Sequence, residues 1–473
     1  MNYRLFWIPA AVALFTAGCA TQPPITERNL PENNSPQPIM ESPAGNTPPA
    51  LSISEEKTTP ESLPGAELTL ADALGLALKH NPTLAGFAAE IRARDAAALQ
   101  SGLLPNPELG VEVENFAGQD DLEGFDGAET TIAFSQLIEL GDKRSKRQQV
   151  AVLDKDLAGW DYQGKKLEVL AFTAKAFIEV LVAQEQVALN DELVKLAKKT
   201  AAAVGERVDA GKVSPMENTR AQVELAAARS EANKASRELE ASRRRLAAFW
   251  GAAQAGFARV VGGLTEIIPI PPEEAIQNLL KANPMLARWQ SEIERSEAAL
   301  ALARSEAVPD LNISAGVRNF QETNNNALLV GFSMPIPLFD RNQGGIGEAR
   351  AKVEKARQEQ REAKVALVTE LSETWQDLSA AYVESSTLRD KILPGAHEAY
   401  ESTELGYREG KLDFLQMLDA QRTLFDVKRQ YLLALGTYHM ASTDMERLIG
   451  ASLKSLPKQQ SIQATQGAYS DED

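Results

Sequence analysis

The chain has 473 residues, 44% of them hydrophobic, and a formal net charge of −17. That acidity argues against a nucleic-acid partner, which needs a basic face. A single cysteine rules out an internal disulfide, and three scattered histidines (His80, His397, His439) offer no ligand spacing, so neither a resident metal nor another cofactor is expected. Aromatic residues are sparse and Ala, Glu, Leu, Arg and Lys abundant, a composition that favours long helices.

Arg4 begins a positive segment, and Leu5 to Ala17 is an apolar run too short to remain in a bilayer as a helix. Gly18-Cys19 follows. This pattern resembles a bacterial lipoprotein signal (residues 1–18), which implies cleavage before Cys19 and acylation of its thiol, although Thr16 stands where such signals usually carry Leu. An ordinary cleaved signal with an incidental cysteine is the alternative. Ala20, rather than an Asp, follows the cysteine, and the resemblance therefore implies the outer membrane. Residues 19–66, with PPITERNLPENNSPQP, have no periodicity that buries a face and read as an extended tether.

The remainder is written twice. LTLADALGLALKHNPTLAG from Leu68 matches PPEEAIQNLLKANPMLARW from Pro271, so that Asn81-Pro82 aligns with Asn283-Pro284. FSQLIELGDKRS from Phe134 matches FSMPIPLFDRNQ from Phe332, and Gly211 matches Gly410. The offsets stay between 198 and 202, far longer than the repeat of a short-period solenoid. Residues 67–268 and 269–452 are two copies of one unit, and 453–473 a tail.

Each copy opens with an amphipathic helix, over about 70–103 and about 272–306. Two alternating segments follow. Leu109, Val111 and Val113 oppose Glu108, Glu112 and Glu114; Thr130, Ile132 and Phe134 oppose Glu129, Thr131, Ala133 and Ser135. In the second copy Leu311, Ile313, Ala315 and Val317 oppose Asn312, Ser314, Gly316 and Arg318, and a fourth strand spans about Ala327 to Pro335. Such period-two segments of ~10 residues suit tilted membrane strands, although each alone also fits a half-buried strand of a soluble sandwich. Four strands cannot close a membrane barrel, but three chains contributing four each make twelve. From Gly141 to Ala210 the chain is helix-forming without a proline, which at 1.5 Å per residue is roughly 100 Å of helix. It is too polar to be transmembrane and must pack laterally as a coiled coil. Pro394 predicts a bend or local break in the second arm. Asp142 and Asp340 are expected to cap the helices after the second and fourth strands.

Paired hairpins, long paired helices, the duplication and the lipoprotein-like start resemble the outer-membrane efflux duct (TolC) family over residues 67–452. The Asn-Pro pairs, the Gly-Lys turns and PIPLFDRNQG carry the likeness, and SQLIELGDKRSKR is most similar to the heavy-metal efflux (CzcC-like) branch. The resemblance implies a membrane α+β fold: an internally duplicated protomer of a homotrimeric 12-stranded β-barrel continued by a 12-helix periplasmic α-barrel. It implies a passive outer-membrane channel in a tripartite system, with a periplasmic adaptor and an inner-membrane RND pump as partners. Heavy-metal cations are the expected cargo, with organic compounds or drugs as the alternative.

The same resemblance assigns the turns Gly211-Lys212-Val213 and Gly410-Lys411-Leu412 to the periplasmic tips that meet the adaptor. It puts Glu217 and Asp419 at an acidic constriction, with Tyr407 and Arg408 tying neighbouring coiled coils in the closed state; core packing serves Tyr407 equally well. Within the first hairpin, which has no Lys or Arg, the alternation directs Glu108, Glu112, Glu114 and Glu129 to a lumen that would favour cations. Solubility of a wet lumen is the plainer reading. The competing architecture is a lipid-anchored periplasmic coiled-coil scaffold with its strands in a soluble sheet. An enzyme is not expected, for no phosphate loop, nucleophile motif or paired-carboxylate cleft is present.

Overall fold

A computed structural model describes residues 67–120 and 123–455. Cys19, the signal and the tether lie outside the described residues, as do Asp121 and residues 456–473. In chain order the elements are β1 (Glu67–Thr69), α1 (Leu70–His80), α2 (Pro82–Ser101), β2 (Glu108–Glu114), β3 (Glu129–Ile138), α3 (Lys143–Asp209), α4 (Pro215–Ala248) and β4 (Arg259–Val261). There follow α5 (Glu273–Gln277), α6 (Pro284–Glu306), β5 (Leu311–Phe320), β6 (Asn325–Ser333), α7 (Gln343–Thr387), α8 (Leu393–Arg408) and α9 (Phe414–Ile449). Among the described residues no helix is long and apolar enough to cross a membrane.

The expected opening helix of each copy is two pieces, because the Asn-Pro pair ends one helix and starts another. Pro82 and Pro284 lack the N–H that an unbroken helix would need, but suit a first turn. The asparagine before each proline is extended and caps the new helix: Asn81 Oδ1 accepts from Leu84 N at 3.1 Å and Asn283 Oδ1 from Met285 N at 2.8 Å. Each Nδ2 also donates to the end of its own copy's return helix, Asn81 to the Phe249 carbonyl and Asn283 to the Leu448 carbonyl, both at 2.8 Å.

The core lies around these joints. Leu68, Val180, Leu246 and Val260 are fully or almost fully buried in one cluster; Ile276, Leu371, Leu378 and Met445 fill its counterpart. Burying each such side chain contributes about 1.5–3 kcal/mol. A short parallel pairing of β1 with β4 closes the first cluster; each strand has three residues, too few to show a period of two. Tyr438 and His439 of α9 pin the segment before α5: the Tyr438 hydroxyl bonds both backbone groups of Ile268, and His439 Nε2 lies 2.8 Å from the Leu264 carbonyl.

α3 runs for 67 residues, as its proline-free text predicts, and packs against α4 to form the first arm. The second arm pairs α7 and α8 with α9. At Leu388–Ile392 it passes through a turn of π-helix just ahead of Pro394, which is the expected break. The missing Pro394 N–H is accommodated by one wider turn rather than by ending the helix.

The four longer strands form one antiparallel sheet in the order β2-β3-β5-β6, leaving β2 and β6 as edges unpaired among the described residues. The strand-to-helix joints differ in length and in chemistry. From β3 to α3 only residues 139–142 intervene. Asp310, just before β5, accepts from Leu140 N at 2.9 Å and from Lys143 Nζ at 2.7 Å, while Arg147 grips Glu139 with two bonds. Gly141 has φ +71, and a Cβ there would meet Val308 at 3.1 Å. From β6 to α7 the chain spends residues 334–342, with Pro335 and Pro337.

Neither aspartate is the expected cap. Asp142 does precede α3, but in the left-handed region with no capping bond. In the second copy Asn342, not Asp340, takes that left-handed place. Asp340 instead accepts from Asn342 N at 2.9 Å, and Asn342 Nδ2 donates to the Ala303 carbonyl at 2.7 Å. Counted from the matching Phe134 and Phe332, the helix of the second copy starts two residues later, which leaves Asp340 short of the helix start.

Candidate functional site

The sheet separates two chemistries. Across its width, opposed residues share a face: Val111, Ile132, Val317 and Leu328 form one row, and Leu109, Phe134, Ala315 and Val330 the next. All of these but Ala315 are exposed large apolar side chains. The reverse face carries Glu108, Glu112, Glu114 and Glu129, as the alternation predicts, together with Thr131, Ser135, Ser314 and Arg318. On the polar face of β6, Leu329 breaks the pattern. It lies opposite Gly316, where an added Cβ would come within 2.4 Å of the Ile132 carbonyl oxygen.

Arg318 changes what the acidic face can do. It is the one cation in the four strands, and it sits diagonally beside the Glu114–Glu129 pair. Its guanidinium bonds Glu114 at 2.9 Å and Glu129 at 2.8 Å, and its Nε donates to Thr131 Oγ1 at 2.9 Å. A planar donor fork suits such bridging of two carboxylates. Glu108 and Glu112 make no ion pair among the described residues and stay exposed. The charge count of the first hairpin therefore overstates the acidity of this face; the neutralising cation comes from the second hairpin, two hundred residues on. Its being the strands' lone cation was the signal in the sequence.

At the far end of the arms the two turns are built alike. Gly211 and Gly410 have φ +68 and +73, the left-handed geometry that ends a helix. Lys212 N returns to the Arg207 carbonyl and Lys411 N to the Gly406 carbonyl, each at 2.8 Å. Lys212 and Lys411 are exposed, whereas Val213 and Leu412 are half-buried. The next helices start differently. Ser214 caps α4, with Pro215 in first position; Asp413 caps α9 through a reciprocal box with Gln416. Gln416 Oε1 thus accepts from Asp413 N at 3.1 Å.

The residues expected at the gate do not form one cluster within the chain. Tyr407 packs on Phe414, with ring centroids 5.8 Å apart, beneath the Arg207 guanidinium at 4.7 Å. Burial pushes its phenol above the ordinary range; Arg207 draws it down and Glu217 raises it. Among the described residues, the Tyr407 hydroxyl and Glu217 Oε2 are both buried and meet no partner at hydrogen-bond distance. Arg408 and Asp419 are instead exposed, with no ion pair among the described residues. Arg207 and Phe414, which complete the Tyr407 nest, come from α3 and α9 and had no pattern of their own in the sequence. Among the described residues no group of His, Cys, Asp and Glu is arranged to hold a metal ion.

The family description "Outer membrane efflux protein" matches this chain in two stretches, residues 73–252 and 275–451. The chain belongs to that family. It is 35% identical over 383 residues to the cobalt-zinc-cadmium resistance protein CzcC of Cupriavidus metallidurans, covering 81% of this chain and 90% of that one. This places it among the CzcC-like members of that family. The nickel-cobalt-cadmium resistance protein NccC of Alcaligenes xylosoxydans xylosoxydans is 27% identical, over 58% of this chain and 62% of its own length. The fold is that of the outer membrane protein VceC from Vibrio cholerae, with a TM-score of 0.68 at 17% identity, covering 81% of this chain and 96% of that one.

Proposed function

We propose that this outer-membrane efflux protein is the passive channel of a tripartite RND-type system exporting heavy-metal cations. The observation that carries the reading is the sheet: one face apolar and exposed, the other acidic, and both edges unpaired. Unpaired edges do not survive in lipid, so the strands need further strands beside them. Three copies would supply twelve, closing a barrel with the apolar face to lipid and Glu108, Glu112, Glu114 and Glu129 to the lumen. The arms of three copies would continue it as a twelve-helix periplasmic barrel. Residues 67–268 and 269–452 would be its two repeats, and acylated Cys19 would hold the tether 19–66 to the outer membrane.

With no phosphate-binding loop to use ATP, energy must come from an inner-membrane pump reached through a periplasmic adaptor. The turns Gly211-Lys212-Val213 and Gly410-Lys411-Leu412 are the surfaces offered to that adaptor. Glu217, Asp419, Tyr407 and Arg408 would narrow the periplasmic end, with Arg408 and Asp419 free to meet a neighbouring copy. The metal cargo is supported by the metal-resistance relatives, CzcC and NccC. Deleting the gene from its host should raise sensitivity to divalent or monovalent metal ions. Unchanged metal tolerance with raised drug sensitivity would contradict the cargo and favour an organic-compound duct.

A further inference from the structure

We infer that three copies of this chain are fastened at the membrane edge by a seam in which Arg341 of one copy pairs with Glu108 of the next, under an apolar cover. The inference rests on the trimeric reading above.

The duplication supplies the template. Inside one chain, the segment leaving β3 docks on the segment that leads into β5. There Asp310 takes the Leu140 N–H and the Lys143 ammonium, Ser305 is buried, and Gly141 lies against Val308. The corresponding pair of segments is the one leaving β6 (334–342) and the one leading into β2 (102–107). Within one chain these flank opposite edges of the sheet, so they cannot meet. They meet only if β6 of one copy lies beside β2 of another.

The residues on the two sides fit that meeting. By the Asn-Pro register, Pro107-Glu108 corresponds to Pro309-Asp310, so Glu108 is the counterpart of the acid that holds the internal joint. It is exposed and unpaired among the described residues. The segment leaving β6 contains one cation, Arg341, whose side chain reaches only carbonyls of its own loop, at Pro337 and Leu338. Ser305 corresponds to Leu103, and beside it Leu104 is 64% exposed. Facing them, the second exit keeps Ile336 and Leu338, the counterparts of Ile138 and Leu140, and sets Phe339, 90% exposed, where the first has Gly141. An apolar group so exposed beside an unpaired edge strand suits burial against another copy. Where the internal joint sets Gly141 against Val308, the joint between copies has Phe339 in the glycine's place, an apolar cover that shields its ion pair from water and strengthens it.

The test is disulfide trapping in the full chain, purified in detergent, with the double variant Glu108→Cys/Arg341→Cys. Oxidation is expected to convert the monomer band on denaturing gels into a covalent trimer, which neither single substitution gives beside the native Cys19. The charge reversal Arg341→Glu should lower the temperature at which the trimer dissociates, and Arg341→Glu/Glu108→Arg should restore it. The mass of the unmodified protein in detergent separates the two readings. A trimer that neither cross-links nor responds to the reversal overturns the seam and leaves Phe339 to the lipid. A monomeric mass overturns the trimer, and the seam with it.

Discussion

Asn283 makes the same two bonds as Asn81, to a different helix, in the other half of the chain. Each caps the helix after a helix-breaking proline and donates its amide at 2.8 Å to the end of a return helix, at Phe249 and at Leu448. One side chain thereby settles an orphan donor at one helix start and an orphan carbonyl at another helix end.

This double role predicts a graded mutant series. Asn81→Ala and Asn283→Ala should each destabilise by about 1–3 kcal/mol, from a lost cap and an unsatisfied buried carbonyl. Asn81→Asp keeps the acceptor but sets a carboxylate against the Phe249 carbonyl, so it should recover little of the loss. Thermal unfolding of the purified variants in detergent reads the order; an aspartate as stable as asparagine would show that only the cap matters.

Arg318 ties Glu114 to Glu129 across strands β2, β3 and β5. Arg318→Gln should free both carboxylates and make the pore more cation-selective. Reversal potentials in a salt gradient across a planar bilayer should shift further toward the cation limit. No shift would mean that the acidic face does not border the conducting path.

Tyr407 can be tested as packing residue and as gate in one substitution. Among the described residues its hydroxyl is buried and meets no partner at hydrogen-bond distance. Tyr407→Phe should therefore leave thermal stability unchanged or slightly raised, because an unsatisfied polar group is removed. If the hydroxyl engages a neighbouring copy in the closed state, the same variant should raise resting conductance. A large loss of stability would show a bond within the chain.

His439 gives a pH dependence. Burial holds its imidazole below the ordinary value of 6.5, against the Leu264 carbonyl, which favours the charged form; Lys454 opposes charging and Glu266 favours it. The neutral ring is thus the folded form. Its stabilisation is complete above the unfolded value near 6.5 and is lost as pH falls below it toward the depressed folded value. Unfolding temperatures measured downward from pH 7 should decline in that window, and His439→Gln should flatten the decline.

Much of this fold was legible because its long elements carry strong periodicities. The 67-residue α3 has no proline to interrupt it, and the strand alternation placed Glu108, Glu112, Glu114 and Glu129 on one face. Features set by contacts between distant segments were harder to read. The three-residue pairing of β1 with β4 is too short for a period. Arg318 was visible as a polar-face residue, but its hold on Glu114 and Glu129 depends on β3 lying beside β5. The Asp340 cap failed for a local reason: counted from the matching phenylalanines, α7 starts two residues later than α3, which hands the left-handed position to Asn342. The unlike joints, by contrast, were foreseeable from Pro335 and Pro337, which stand where the first copy has Leu137 and Glu139.

The central claim is that this chain forms a pore, and conductance of the purified full-length protein in planar bilayers tests it most directly. Insertion should give discrete current steps of uniform size that favour cations. Protein that leaves the bilayer silent, while behaving as a soluble monomer without detergent, would contradict the duct and favour a lipid-anchored periplasmic scaffold.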